Sequence, residues 1–365
     1  MRSIDLLIVG PAGHRTGGIA RYIADQRRAL PEVVDARLYD VSTPDGAGWW
    51  WFLRSALRSV ARMAAFAARR PPDVVHVHSS HQYSFFISSF YVLFAAYVWQ
   101  RPVVIHVHGS SFDTFLATES PLVSALQRRV FDAAAGVVVL SEYWRTMLRR
   151  VVPAEKLDVL PNAVDVSGYS PTFDAEPPHV VFVSNLIERK GVEELLTALE
   201  RLDRDGFDFR ATIAGDGPLR DRVVAVAERT PSVEYRGYVT ESEKRALLER
   251  GSICVLPSYA EGLPIALLEG MAGGNAVVAT AVGSVPETIG DENGLLVEPR
   301  DAAALADALE RLVDDPQTAA AMGRANAELV RSQYSWHANA ARLTRLYAGL
   351  LDRSDAGRQV ELASQ

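Results

Sequence analysis

Near-continuous apolar runs of four to six residues recur along the chain, separated by longer segments with apolar positions at helical spacing. The runs predict strands at Ile4–Val9, Val74–Val77, Val103–Val107 and Val137–Leu140 in the first half. In the second half they predict Val180–Val183, Arg210–Ala214, Ile253–Leu256 and Ala276–Ala279. Runs without polar alternation belong to strands covered on both faces. Glu193–Leu202, Leu219–Glu228 and Ser242–Arg250 read as helices between them. This alternation predicts parallel sheets clothed by helices, an α/β class. Ser167–Pro178 (SGYSPTFDAEPP) holds three Pro, one Gly and little apolar content, so it reads as a linker between domains 1–166 and 167–334. Leu343, Leu346, Tyr347 and Leu350 share a helical spacing in a last helix of about 335–352, with 353–365 expected as a flexible tail. Each parallel sheet should bind ligand beyond the carboxyl ends of its strands, and two such domains facing each other would leave a cleft.

Composition narrows the class. The chain has 365 residues, 48% hydrophobic and 23% charged, which suits two globular domains and excludes disordered or collagen-like chains. A single Cys, Cys254, excludes an intrachain disulfide framework and a Cys-based zinc site, and points to a reducing compartment. MRSIDLLIVG reads as a strand rather than a signal peptide. Net charge is −7, which disfavours nucleic-acid binding by the whole protein. Met1–Asp165 carries 18 basic and 14 acidic residues, net +4, and the remainder 20 and 31, net −11. That asymmetry hints at an anionic surface or substrate for the first half.

Gly48–Arg70 opens with Trp49, Trp50, Trp51 and Phe52, then places Arg54, Arg58 and Arg62 four apart. Arginines at that spacing share a helix face, with Leu57, Val60, Ala61 and Ala64 on or near the other side. Aromatics plus an arginine stripe suit a helix lying in a membrane interface. The competing reading is a solvated basic face whose Trp residues pack in the core. Tyr83–Trp99 holds 17 residues without a charge, short of the roughly 20 a membrane span needs, so a buried or dipping helix is expected.

Several short strings carry chemistry. Gly10–Ile19 (GPAGHRTGGI) lies between a strand and a helix, where glycines let backbone approach a phosphate. Its spacing is not G-x-G-x-x-G, which disfavours dinucleotide binding. His76 and His78 share one strand face, and His106 and His108 another, with His81 close behind. No carboxylate pattern accompanies them, so no metal site is expected. His108 ends a strand before Gly109, the position where parallel sheets place reactive groups. Ser184–Gly191 (SNLIERKG) follows a strand and opens a helix. Its Lys190 is one of three Lys among 35 Arg, a compact cation suited to a diphosphate. Gly215–Pro218 is a tight turn after another strand. In Leu256–Thr280, Pro264 suits a first helical residue, Glu261 precedes the helix and Glu269 lies about one and a half turns inside. The two carboxylates flank a helix N-terminus that could hold an anion.

That last string resembles the E-x7-E signature of glycosyltransferase family 4, with Glu261 and Glu269 as its carboxylates. The similarity extends through Gly17-Gly18-Ile19, DVVHVH, PVVIHVHG, VLPNAVD (Val159–Asp165), Lys190-Gly191, Gly215–Pro218 and VGSVPE followed by NGLLVEP. It implies a GT-B fold of two Rossmann-like domains, the first binding acceptor and the second the nucleotide-sugar, with a C-terminal helix returning to the first. It also implies a retaining transferase that needs no metal or other cofactor. By the family pattern Glu269 meets the donor ribose. Glu261 and the amides of Gly262, Leu263, Pro264 and Ile265 surround donor sugar and phosphates. Lys190 neutralises the diphosphate, Gly18 approaches it from the first domain, and His108 sits by the acceptor. Gly17, Asn185, Gly215 and Gly217 complete the expected donor-binding set. HVHGSSFD after an apolar segment is similar to bacterial cell-surface polysaccharide transferases. That likeness implies a UDP-sugar donor and a saccharide or lipid-linked acceptor. It also implies a cytoplasmic location, peripheral on the inner face of an anionic cell membrane.

The chain departs from the family pattern at three places. Ser184-Asn185 stands where Gly-Arg is frequent, which weakens the diphosphate clamp unless Arg189 compensates. Gly270 replaces a usual Ala and Asn275 a usual Pro, both read as structural. The Asn185 departure keeps open a non-catalytic nucleotide-sugar-binding partner subunit. A sugar-nucleotide epimerase or phosphorylase on the same fold is the other alternative.

Overall fold

The computed structural model describes residues 3–12, 18–42, 48–109 and 112–363, without the side chains of 51, 52, 355 and 357–363. They form two compact units, Met1–Pro161 with Trp336–Gln365, and Asn162–Ser335. The division falls five residues before the expected one. Ser167–Pro178 is not a loose linker but part of the second unit: Ser170 N donates to Glu249 Oε1 at 2.7 Å, and Thr172 Oγ1 donates to the Glu249 carbonyl at 2.9 Å. Prolines keep the segment extended, and its polar groups find partners at the end of a neighbouring helix.

In the first unit, β1 (Ile4–Gly10), β2 (Val34–Asp40), β3 (Val74–Ser79), β4 (Val103–Val107), β5 (Gly136–Val139) and β6 (Leu157–Val159) form a parallel sheet in the order β2-β1-β3-β4-β5-β6. Helices α1 (Gly18–Ala29), α2 (Trp49–Ala67), α3 (Tyr83–Tyr97), α4 (Phe112–Leu116), α5 (Pro121–Ala133) and α6 (Glu142–Leu148) accompany it. In the second unit, β7 (His179–Val183), β8 (Arg210–Ala214), β9 (Val233–Gly237), β10 (Ile253–Leu256), β11 (Ala276–Thr280) and β12 (Gly294–Val297) are again parallel, in the order β12-β11-β10-β7-β8-β9. Helices α7 (Val192–Arg204), α8 (Arg220–Ala227), α9 (Glu241–Arg250), α10 (Ile265–Ala272), α11 (Val285–Thr288), α12 (Ala302–Asp314) and α13 (Pro316–Gln333) accompany that sheet. The last helix, α14 (Trp336–Ala363), belongs to the first unit, where Leu343, Tyr347 and Leu350 join Ile8, Ile23 and Val104 in the core. It runs on to Ala363 where a flexible tail was expected. Residues 353–363 hold no Pro and one Gly, so nothing local stops the helix.

The strand order reverses between β1 and β3 in one sheet and between β7 and β10 in the other. At such a reversal the outgoing loops diverge and leave a crevice for ligand. The loops that carry Lys190 and Glu261 leave β7 and β10, so both start at the reversal of the second sheet.

The family departures at Gly270 and Asn275 have packing causes. A Cβ on Gly270 would lie 2.4 Å from Cys254 Sγ and 2.8 Å from Cys254 Cβ, so the Gly answers a bulky neighbour on β10. Asn275 Nδ2 donates to the Leu248 and Gly270 carbonyls at 2.7 and 2.8 Å, tying β11 to α9 and α10. Gly270→Ala should therefore overpack this contact and cost about 1–3 kcal/mol, with Cys254→Ala in the same chain restoring most of it. Urea unfolding of the single and double variants checks this; equal loss in both would remove the Cys254 contact as the cause.

Candidate functional site

In the second unit, β7 ends at Val183 and the chain turns through a short 3-10 segment, Glu188–Lys190, before α7. Gly191 closes that turn at φ 67°, and a Cβ there would lie 1.9 Å from the Pro257 carbonyl oxygen. Only glycine satisfies both the left-handed backbone and the close approach. The loop thus lies directly on the one leaving β10: Tyr259 N donates to the Arg189 carbonyl at 2.8 Å, and Arg189 Nη1 to the Ala260 carbonyl at 2.6 Å. Arg189 thereby braces the Glu261 loop. Asn185 is exposed at the start of the same loop.

This bracing delivers Lys190 to Glu261. Lys190 Nζ donates to Glu261 Oε1 at 2.5 Å, with the side chains 13% and 8% exposed. Removing one partner from a pair this buried costs about 3–5 kcal/mol, because the other charge is left uncompensated. Pro264 is the N-cap residue of α10 rather than its first helical residue, and the helix starts at Ile265. The amides of Ile265 and Ala266 have no intrahelical acceptor there, which gives the helix N-terminus its attraction for anions. Glu269, one turn on, is 3% exposed. Its Oε1 accepts from Lys244 Nζ at 2.9 Å, and Lys244 also pairs with Glu241 Oε2 at 3.0 Å. Burial and the Glu269 charge push the Cys254 thiol up to about 12, so this cysteine is inert. Gly215 lies against the Ser184 carbonyl and Gly217 against that of Leu186, so the Gly215–Pro218 turn adjoins the Asn185 loop.

In the first unit, four imidazoles gather at the carboxyl ends of β3 and β4. His78 Nδ1 and His108 Nε2 share a hydrogen bond of 2.8 Å, and His76 Nδ1 meets Tyr347 Oη at 2.6 Å. Gln26 Nε2 donates to the same Tyr347 oxygen at 3.0 Å. The rings are stacked, His76 on His78 at 4.4 Å and 10°, His106 on His108 at 4.0 Å and 27°. Tyr22 meets His108 edge-on at 5.0 Å. Donor nitrogens of His76, His78 and His106 lie within 4.8 Å of one another. Lone pairs lie in the ring plane, so stacked rings aim theirs side by side rather than at one centre. Burial forces the group neutral: His76 and His108 are pushed down to about 3, and His78 and His106 well below the ordinary 6.5. Gly18 starts α1, exposed and with open space where a Cβ would stand. Gly17 lies outside the described residues.

Residues 5–163 match the model of the glycosyl transferase 4-like domain, and residues 177–315 that of glycosyl transferases group 1. The D-inositol 3-phosphate glycosyltransferase of Pseudarthrobacter chlorophenolicus is 31% identical over 82% of this chain and 77% of its own. The chain belongs to glycosyltransferase family 4. Sucrose-phosphate synthase from Thermosynechococcus elongatus has the same fold, with TM-score 0.77 at 21% identity over 96% of this chain and 100% of that one. Anabaena Alr3699/HepE, solved in complex with UDP, gives 0.72 at 17% identity over 95% and 100%. These likenesses place the two parallel α/β units in the GT-B architecture.

Two residues of this family 4 chain escaped the motif reading. Asn162, in VLPNAVD, donates from Nδ2 to the Leu263 carbonyl at 2.5 Å and so holds the loop between Glu261 and α10. From sequence alone, Lys244 falls only within the Ser242–Arg250 helix. The signal for it was the scarcity of lysine: two of the chain's three Lys sit on the two signature glutamates.

The basic stripe on α2 is also revised. Arg62 turns inward, pairing with Asp40 at 3.4 Å and donating to the Ser42 carbonyl, while Tyr39 Oη donates to the Arg62 carbonyl. Ser55 and Phe66 are buried on that same side. Arg54 and Arg58 face solvent beside apolar groups: Trp49, Trp50, Leu57 and Val60 are 64–78% exposed. The Trp51 side chain lies outside the described residues.

The imidazole stack makes a sign-definite prediction. Each ring is neutral in the fold and has an ordinary value of 6.5 when unfolded, so its stabilisation is intact above pH 6.5 and is lost as pH falls from there toward 3. Four such rings should lower Tm by on the order of 10 °C between pH 7 and pH 5.5. Calorimetry across that range measures it; a flat Tm would show that the rings protonate without cost.

Proposed function

We propose that the chain moves a sugar, with retention of anomeric configuration, from a UDP-sugar to a saccharide or lipid-linked saccharide acceptor. The product would be a cell-surface polysaccharide or glycolipid. The observation that carries this reading is the α10 N-terminus with its two lysine–glutamate pairs. A departing nucleoside diphosphate needs its developing charge met by donors already in place. Lys190 and the first amides of α10 are such donors. Glu269 then accepts from the donor ribose and Glu261 from the donor sugar. The bond from the anomeric carbon to the diphosphate oxygen breaks and its electron pair leaves with the diphosphate. The acceptor oxygen bonds to the same face of that carbon and gives its proton to the diphosphate. His108, neutral at working pH, is a hydrogen-bond partner for the acceptor rather than a charged acid. No step requires a metal ion. UDP as the nucleotide rests on likeness to HepE, whose structure holds it.

A thermal-shift panel of UDP-, GDP- and ADP-sugars in EDTA tests the reading. One nucleotide-sugar at about a hundredfold its Kd should raise Tm by roughly 5–10 °C. Glu269→Ala should cut that shift to about half, as a tenfold weaker Kd would, and His108→Ala should keep it while losing turnover. No shift with any donor would overturn the reading in favour of a subunit that needs a partner.

We further propose that the first unit docks on the inner face of an anionic membrane through α2. Among the described residues no helix is long and apolar enough to cross a membrane. The outward side of α2 combines exposed Trp with Arg54 and Arg58, the pairing that suits a lipid headgroup boundary. The protein should float with anionic vesicles at low salt and be released as salt rises, with affinity falling on the order of tenfold when Arg54 and Arg58 are both changed to Gln. Absence of flotation at low salt would discard this surface.

A further inference from the structure

Glu269 is 3% exposed, at the second turn of α10. A carboxylate that deep stays ionised only with a charged or hydrogen-bonding partner. Its cationic partner comes from another element, Lys244 on α9, 25 residues earlier. That lysine is itself only 11% exposed and is held from behind by Glu241, three residues back on the same helix. Lys244 therefore has two anchors and little freedom to swing to solvent. It engages Glu269 through Oε1 at 2.9 Å.

We infer that Lys244 is the positioning residue that sets the orientation of Glu269 for a ribose diol. The inference rests on the proposed meeting of Glu269 with the donor ribose. A carboxylate can accept two hydroxyls only when it is ionised and its plane is fixed against the sugar. Without Lys244, the buried Glu269 side chain would lose the cation that fixes its plane and turn away from the site. Diol recognition would then fall while the diphosphate contacts at Lys190 and α10 remained.

The test compares UDP, GDP and ADP with their 2′,3′-dideoxy counterparts by titration calorimetry. The proteins are wild type, Lys244→Met, and Lys244→Met with Glu269→Gln. Wild type should prefer the ribonucleotide that it binds by at least about tenfold over its dideoxy form, the worth of a hydrogen bond to a charged group. Lys244→Met should bind both forms alike, at the wild-type affinity for the dideoxy form. If the single variant does not fold, Lys244→Arg, which keeps the charge but changes its placement, should fold and discriminate less than wild type, with the double variant marking the floor reached without Glu269. Wild type that ignores the ribose hydroxyls, or binds none of the three diphosphates, overturns the ribose role of Glu269 and the inference with it. Wild type that discriminates while a folded Lys244 variant discriminates equally overturns the inference alone. A Lys244→Met variant that loses affinity for ribo and dideoxy forms in equal proportion also overturns it, because the lysine then acts through the fold or the phosphates.

Discussion

Strands covered on both faces leave polar groups only the strand ends as a way out, and the chemistry of both units follows from this. β3 and β4 are buried along their whole length, as are β10 and β11. Side chains within them are apolar, hydroxyl-bearing like Ser79 and Thr280, or, like His76 and His106, forced neutral. Charge gathers just past the carboxyl ends. In the second unit two loops leave the sheet where its order reverses and lean on each other through Gly191 and Pro257. Gly283 does the same from the other side, its φ of 55° and its approach to the Glu261 carbonyl leaving no room for a Cβ. Glu261 is thus held by backbone packing on two sides before Lys190 reaches it.

The same constraint decides what could be read from sequence. The eight strands predicted from apolar runs all exist. The four that were missed, β2, β6, β9 and β12, are the four sheet edges. An edge strand is half exposed, and VDARLYD, LDV, VEYRG and GLLV carry exposed or half-exposed positions accordingly. Their patterns are too short or too polar to stand out. Glu261, Glu269 and Lys190 were legible because one contiguous string, or one loop, carries each. The α2 arginines were legible as a stripe but not in their direction, since Asp40 and Ser42, which turn Arg62 inward, lie about twenty residues away. Lys244 and Asn162 were invisible for a related reason. Their partners are 25 and 101 residues distant, and periodicity reports which face a residue occupies, not what waits opposite it.

The choice of lysine at both glutamates is informative in a chain with 35 Arg and three Lys. A guanidinium spreads its donors over a plane, as Arg37 does on Asp5, with Nη2 donating to both oxygens at 2.6 and 2.7 Å and Nε to Oδ1 at 3.1 Å. An ammonium is a point donor. Lys190 engages Glu261 through Oε1, and Lys244 engages Glu269 through Oε1. Each signature glutamate is thereby met by one compact ammonium. Elsewhere arginine pairs brace the surface, as Arg201 does with Asp307 and Glu310. The two cations divide by burial: the compact ammonium serves the buried signature glutamates, and the wider guanidinium serves exposed or half-exposed carboxylates.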